Sequence, residues 1–161
     1  MEKIFKGKPN LGTFPCLGCV CCSSIIKGVV VQHPTKGNRI PLRHYATCNT
    51  QWVVYMLKCP CGKVYVGQSS REVKAIIKEH RGDIKNFKLN TYTDTSVSRH
   101  CNECRHNMSQ LKWQVLEVVQ TPQRGGNKKN ILLQKEALWI KKLCAMVPQG
   151  LNDQWIVVSY L

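Results

Sequence analysis

A chain of 161 residues with 43% hydrophobic content can build one packed domain with a small appended module, and it is too apolar for wholesale disorder. Lys and Arg number 24 against 9 Asp and Glu, a net charge of +15 that points to a polyanionic partner, nucleic acid before an anionic membrane surface. No apolar run reaches the ~18 residues of a membrane span, and Met1 to Lys8 lacks the apolar segment of a secretory signal, so a nuclear or cytoplasmic, non-secreted chain is expected. In such a reducing compartment the 10 cysteines are expected to act as metal ligands rather than disulfides.

Residues 1–50 are rich in Gly, Pro, Cys and Lys and show no sustained helical period. They read as a loop-dominated segment held by metal, with residues 25–31 as its only strand-like part. Cys16-x-x-Cys19-x-x-Cys22, with Cys48 downstream, offers thiolates at zinc spacing, and Cys21 competes with Cys22. Residues 52–57 are a β-type run, Cys59-Pro60-Cys61-Gly62 is turn chemistry, and 63–67 is a second strand, so an antiparallel hairpin is predicted. Ser69 or Ser70 is the expected cap of a helix over 71–87, with Val73, Ile76, Ile77, His80 and Ile84 on one face. A short helix reaching His100 follows, with Asp94 or Ser96 as its cap. Residues 111–119 form a third strand, with Trp113, Val115 and Glu117 assigned to one side and Leu116 and Val118 to the other. After a basic loop at 124–129, residues 131–146 read as the longest helix, with Leu132, Leu133, Glu136, Trp139, Ile140 and Leu143 at helical spacing and Pro148 beyond its end. The predicted division is a Cys-rich segment over 1–50 and a second unit over 51–158.

Several side chains on this frame can carry chemistry. The hairpin puts Tyr55 and Tyr65 on neighbouring strands, where two phenols can orient a water and a phosphate, although tyrosine is also simply common in strands. Glu136 precedes Trp139 and Ile140 on the apolar face of its helix, where a carboxylate needs a partner, either a metal or Lys129 or Lys135. Lys74, Lys78, Arg81 and Lys85 recur at spacings of four, three and four, a stripe suited to a phosphate track that Arg71 opens and that Arg99, Arg105, Lys112, Arg124, Lys128 and Lys129 could extend. No base-reading motif is present, so contacts should be to the backbone and weaken with salt. Cys144 reads as a core thiol.

Val53-Val54-Tyr55, Tyr65-Val66-Gly67, a basic helix with His80, Glu136-Ala137-Leu138-Trp139-Ile140 and Asn152 follow one another in order. This series resembles the GIY-YIG endonuclease superfamily over 52–152. More closely it resembles the C-terminal endonuclease region of Penelope-like retroelements, a likeness that also takes in the Cys-rich segment. The resemblance implies an α+β fold with a small three-stranded antiparallel sheet flanked by helices. It implies phosphodiester hydrolysis with one Mg²⁺ or Mn²⁺ held by Glu136. Tyr55 would help activate water, Tyr65 would position the reacting groups, and His80 and Asn152 would stand near the site. It further suggests a structural Zn²⁺ on Cys59, Cys61, His100 and His106, with Cys101 and Cys104 as competitors. The first motif is Val-Val-Tyr rather than Gly-Ile-Tyr, and Ile76 stands where the family has an arginine that contacts the scissile phosphate. Arg71 and Lys74, five and two positions away, are not expected to replace it. The resulting expectation is a metal-dependent DNA endonuclease domain from a retroelement, with RNA as the alternative substrate and the element's reverse transcriptase as partner. With no polymerase-sized segment present, the chain is expected to be a fragment, a degraded copy or a domesticated piece. The alternatives are a zinc-stabilised nucleic-acid binder that has lost cleavage, and a structural zinc protein.

Overall fold

The computed structural model describes residues 11–123 and 125–153. Residues 1–10, Arg124 and the 154–158 portion of the second unit fall outside that range. The elements are β1 (Gly12–Thr13), β2 (Val30–Gln32), β3 (Arg39–Pro41), β4 (Tyr45–Ala46), β5 (Val53–Lys58), β6 (Val64–Ser69), α1 (Val73–Lys85), α2 (Ser96–Glu103), β7 (Lys112–Val118) and α3 (Lys128–Lys142). The fold is α+β. Its main sheet has three strands in the order β6-β5-β7, with β5 antiparallel to both neighbours.

β5 is central because its side chains are apolar on both faces. Val54 and Met56 join one core with Leu116, Leu132, Ile140 and Leu143, on the α3 side. Tyr55 and Leu57 join another with Trp113, Val115, Val73 and Ile77, on the α1 side. The predicted hairpin is present. Gly62, at φ +94°, closes its turn by donating N–H to the Cys59 carbonyl at 2.9 Å. The register sets Tyr55 opposite Gly67 and Leu57 opposite Tyr65.

The alternation expected along β7 holds for Trp113, Val115 and Leu116 and fails beyond them. A bulge shifts the register so that Tyr55 pairs Val115 while Val54 pairs Glu117. Glu117 therefore faces α3, where it accepts a hydrogen bond from Trp139 Nε1 at 2.9 Å and pairs with Lys135 Nζ at 3.2 Å. Val118 turns to the α1-side core.

α1 starts two residues later than predicted and has no side-chain cap from Ser69 or Ser70. Ser69 ends β6, and its Oγ accepts from Arg71 N–H at 3.0 Å in the connecting turn. The exposed N–H groups of the first turn are met instead by carbonyls of the Cys-rich segment: Val73 donates to Thr50 and Lys74 to Cys48, each at 2.9 Å. α2 is capped by Thr95 in a reciprocal box with Ser98, not by Asp94 or Ser96, and Asp94 pairs with Arg99 at 2.8 Å. α3 is capped by Asn127, starts before the predicted position and ends at Lys142, well short of Pro148.

The Cys-rich segment is more ordered than predicted. Residues 25–31 are not its only strand: β2 pairs with β3 as a hairpin, and β1 runs parallel to β4. It also shares the cores of the sheet. Trp113 Nε1 donates to the Cys21 carbonyl at 3.1 Å, Gln114 Nε2 to Val30 at 2.9 Å, and Val115 N–H to Thr13 Oγ1 at 3.0 Å. Among the described residues, no helix is long and apolar enough to cross a membrane.

Candidate functional site

The two tyrosines meet, as the hairpin required. Tyr55 is 2% exposed, and its Oη lies 2.8 Å from His80 Nε2 on α1. The His80 ring stands edge-on to both phenols, with centroids 5.8 Å from Tyr55 and 5.6 Å from Tyr65. Gly67 makes this possible. A Cβ there would lie 2.5 Å from Tyr55 Oη and 3.0 Å from Tyr65 Cε2, so the bare glycine lets the Tyr55 phenol cross β6.

Glu136 lies on α3, which packs against β6, one of the sheet's two edge strands. Its charge acts on both phenols, raising each. Burial holds the Glu136 carboxyl up at about 7, with Lys129 acting the other way. Burial, with Tyr65 and Glu136 adding to it, holds Tyr55 well above its usual range, and burial followed by Glu136 pushes Tyr65 up to about 12. Burial pulls His80 down to about 4, leaving a neutral imidazole at physiological pH. His80 Nδ1 is buried without a hydrogen-bond partner among the described residues. Lys135 pairs with Glu117 rather than Glu136, and Lys129 Nζ donates to Gln68 at 3.0 Å.

Asn152 is fully engaged in holding β6. Its Oδ1 accepts from Val66 N–H at 2.8 Å and its Nδ2 donates to the Val66 carbonyl at 2.9 Å. At 6% exposure it fixes the residue next to Tyr65 and acts through position.

The basic stripe lies on a different flank of α1. At about 100° per residue, Lys74, Lys78, Arg81 and Lys85 share one side, and Glu79 and Asp83 lie far round from it. Lys78 and Lys85 are exposed, whereas Arg81 Nη1 donates to the Val20 carbonyl at 3.3 Å. The stripe therefore borders the Cys-rich segment rather than the phenols. Among the cations, Arg71 acts on the Tyr55 phenol and Lys129 on the Glu136 carboxyl. Arg71 precedes α1, which begins at Val73. Its Nη1 pairs with Glu79 Oε2 at 2.7 Å, and its charge favours the Tyr55 phenolate. Ile76 packs against the α1-side core. Arg99 is committed to Asp94, and Arg124 lies outside the described residues.

Cys16, Cys19, Cys22 and Cys48 converge, with all four sulfurs within 4.8 Å of one another. The Cys16–Cys19, Cys16–Cys22, Cys19–Cys22 and Cys22–Cys48 separations are 3.5, 3.6, 3.8 and 3.7 Å. Tetrahedral zinc with Zn–S near ~2.3 Å spaces its sulfurs about 3.8 Å apart, so this cluster could hold a metal ion such as zinc. Leu17 N–H points at Cys22 Sγ (3.3 Å) and Gly18 N–H at Cys16 Sγ (3.4 Å), which favours thiolate. Cys21 is excluded because its sulfur turns to the Lys74 carbonyl at 3.7 Å.

The second set assembles in part. Cys59, His100 and His106 bring ligand atoms within 4.8 Å of one another, joining the hairpin turn to α2. Cys61 Sγ lies 3.3 Å from His100 Nε2 but outside that grouping. Cys101 Sγ lies 3.9 Å from Cys59 Sγ, and Cys104 Sγ 3.8 Å from His100 Nδ1, so the competitors named from sequence stand at the edge of the site.

Fold and site together define an α+β chain with a Tyr–His–Tyr cluster and a cysteine cluster able to hold a metal ion. No protein-family model, curated protein or solved structure matches the chain.

Proposed function

We propose that this chain is a GIY-YIG-type nuclease domain, resembling that of Penelope-like retroelements, which hydrolyses DNA phosphodiester bonds with one Mg²⁺ or Mn²⁺. The observation that carries the reading is the contact of Tyr55 and Tyr65 with His80, and the Glu136 charge, which raises both phenols, supports it. Glu136 would hold the cation, which would stabilise charge on the phosphate and acidify a water.

The chain's own residues supply the rest. A buried phenol is a poor base by itself. Neutral His80, hydrogen-bonded to Tyr55 Oη, would hold the phenol in orientation, and a bound cation together with Arg71 would have to lower the phenol's value before its oxygen could take a proton from water. Tyr65 borders the same space from β6, which Asn152 holds in place. Lys129 and Arg71 supply positive charge for a phosphate. The stripe from Lys74 to Lys85 would hold the flanking backbone, and the metal-binding cysteines would fix the segment that caps α1.

A second reading is a zinc-stabilised nucleic-acid binder with impaired cleavage. It is favoured by Ile76 facing the core and by Arg71 being tied to Glu79. Arginine contacts of this kind are worth on the order of 10²–10³ in rate. Incubating supercoiled plasmid with Mg²⁺ or Mn²⁺ separates the readings. Nicking by the unaltered chain that Glu136→Ala abolishes supports the nuclease. Nicking only by Ile76→Arg supports the impaired binder. Absence of retention on DNA at low salt removes both.

A further inference from the structure

On the α3 side of the sheet, away from the phenols, a pocket of about 260 Å³ opens between the β3–β4 connection, β7 and α3. Its apolar wall is Leu116, Trp139 and the half-exposed Leu138. Its polar lining is Arg43, His44, Lys135, Lys142 and Glu117.

The charges do not balance. Among the described residues Glu117 is the pocket's only carboxylate, and both its oxygens are taken, Oε1 by Trp139 Nε1 at 2.9 Å and Oε2 by Lys135 at 3.2 Å. Among the described residues Arg43 and Lys142 have no acidic partner, and Lys142 Nζ rests over the Trp139 ring at 4.9 Å. His44 is held at its backbone by Gly12 N–H at 2.8 Å, while its Nδ1 is buried without a partner. A guanidinium, an ammonium and an imidazole around one space are more donors than a carboxylate's two oxygens need. They suit the three terminal oxygens of a phosphate monoester. The volume falls just below the ~300–1,000 Å³ usual for drug-sized ligands, so the ligand is about one nucleotide in size.

We propose that this pocket binds a phosphate monoester carried on a small flat or apolar body, a single nucleotide unit, either free or at the 5′ end of a strand. The phosphate meets Arg43, Lys142 and His44, and the body lies along Leu138 and Trp139. The site is independent of the phenol cluster and of the proposed cleavage.

Calorimetric titration of the full, zinc-loaded chain tests it, with dAMP and deoxyadenosine as probes. A second pair of probes is a short single strand with and without a 5′-phosphate. Binding of dAMP at least about tenfold tighter than deoxyadenosine is expected, and Arg43→Gln or Lys142→Gln should each weaken it about tenfold or more. Both side chains are exposed, so these variants should fold normally. Glu136→Gln should leave the affinity unchanged. Preference for the 5′-phosphorylated strand over dAMP assigns the ligand to a strand end, and the reverse assigns it to free nucleotide. If neither phosphorylated probe outcompetes its unphosphorylated partner, or if Arg43→Gln and Lys142→Gln bind as the unaltered chain does, the proposal is overturned.

Discussion

Replacing Glu136 by Gln removes a charge while keeping the side chain's shape. Burial holds this carboxyl at about 7 in the folded chain against an ordinary 4.5. Between those values the folded form retains a proton that the unfolded form releases. The group's contribution to stability is therefore complete below pH 4.5 and is lost as pH rises toward 7. The gap between 4.5 and about 7, at 1.36 kcal/mol for each pH unit, amounts to about 3 kcal/mol. His80 acts oppositely: its value is depressed from 6.5 to about 4, so its contribution is present above 6.5 and lost as pH falls. Comparing Glu136→Gln with the unaltered chain cancels His80 and the thiolates, which both chains share. Urea denaturation of zinc-loaded protein without Mg²⁺ or Mn²⁺, at steps from pH 4 to 8, gives that difference. The Gln chain should gain up to about 3 kcal/mol relative to the unaltered chain across the range, with the change confined between pH 4.5 and 7. A difference that stays flat within about 0.5 kcal/mol would mean a solvated carboxylate that does not press on the phenols, and the reasoning would fail.

Asn152→Ala strips Val66 of two buried hydrogen bonds and should lower the unfolding free energy by about 2–4 kcal/mol, read by urea denaturation. Gly67→Ala drives a methyl against Tyr55 Oη and should cost about 1–3 kcal/mol while displacing the phenol from His80, visible as a changed near-UV tyrosine signal. Cys22→Ala should reduce bound zinc and lower the melting temperature, whereas Cys21→Ala should leave zinc content unchanged, measured by elemental analysis after metal washing.

Much of the β5–β6 unit was legible because its signals are local. Two β-type runs, a Cys-Pro-Cys-Gly turn and the pleat together place Tyr55 and Tyr65 on one face, and helical spacing puts His80 on the face of α1 that meets them. The cysteine set was legible from its Cys-x-x-Cys-x-x-Cys spacing, which favoured Cys22, and the structure removes the competitor Cys21 by turning its sulfur to the Lys74 carbonyl. What sequence missed is tertiary. The bulge opposite Val54–Tyr55 sends Glu117 to α3, and no period announces it. The first turn of α1 is satisfied by carbonyls of Thr50 and Cys48, so no capping residue marks its start. Arg71 could not be judged from helix geometry because it precedes the helix. Gly67 carried a readable signal, a glycine inside a strand pattern, which marks a close approach by another group.

If Glu136 and the two phenols share one divalent cation, manganese will report it. Titrating Mn²⁺ into zinc-loaded chain and counting free ion by electron paramagnetic resonance should reveal one bound Mn²⁺ per chain, lost or weakened at least about tenfold in Glu136→Gln. Equal manganese binding by both chains would leave the carboxylate without a metal and the Tyr–His–Tyr cluster without a hydrolytic role.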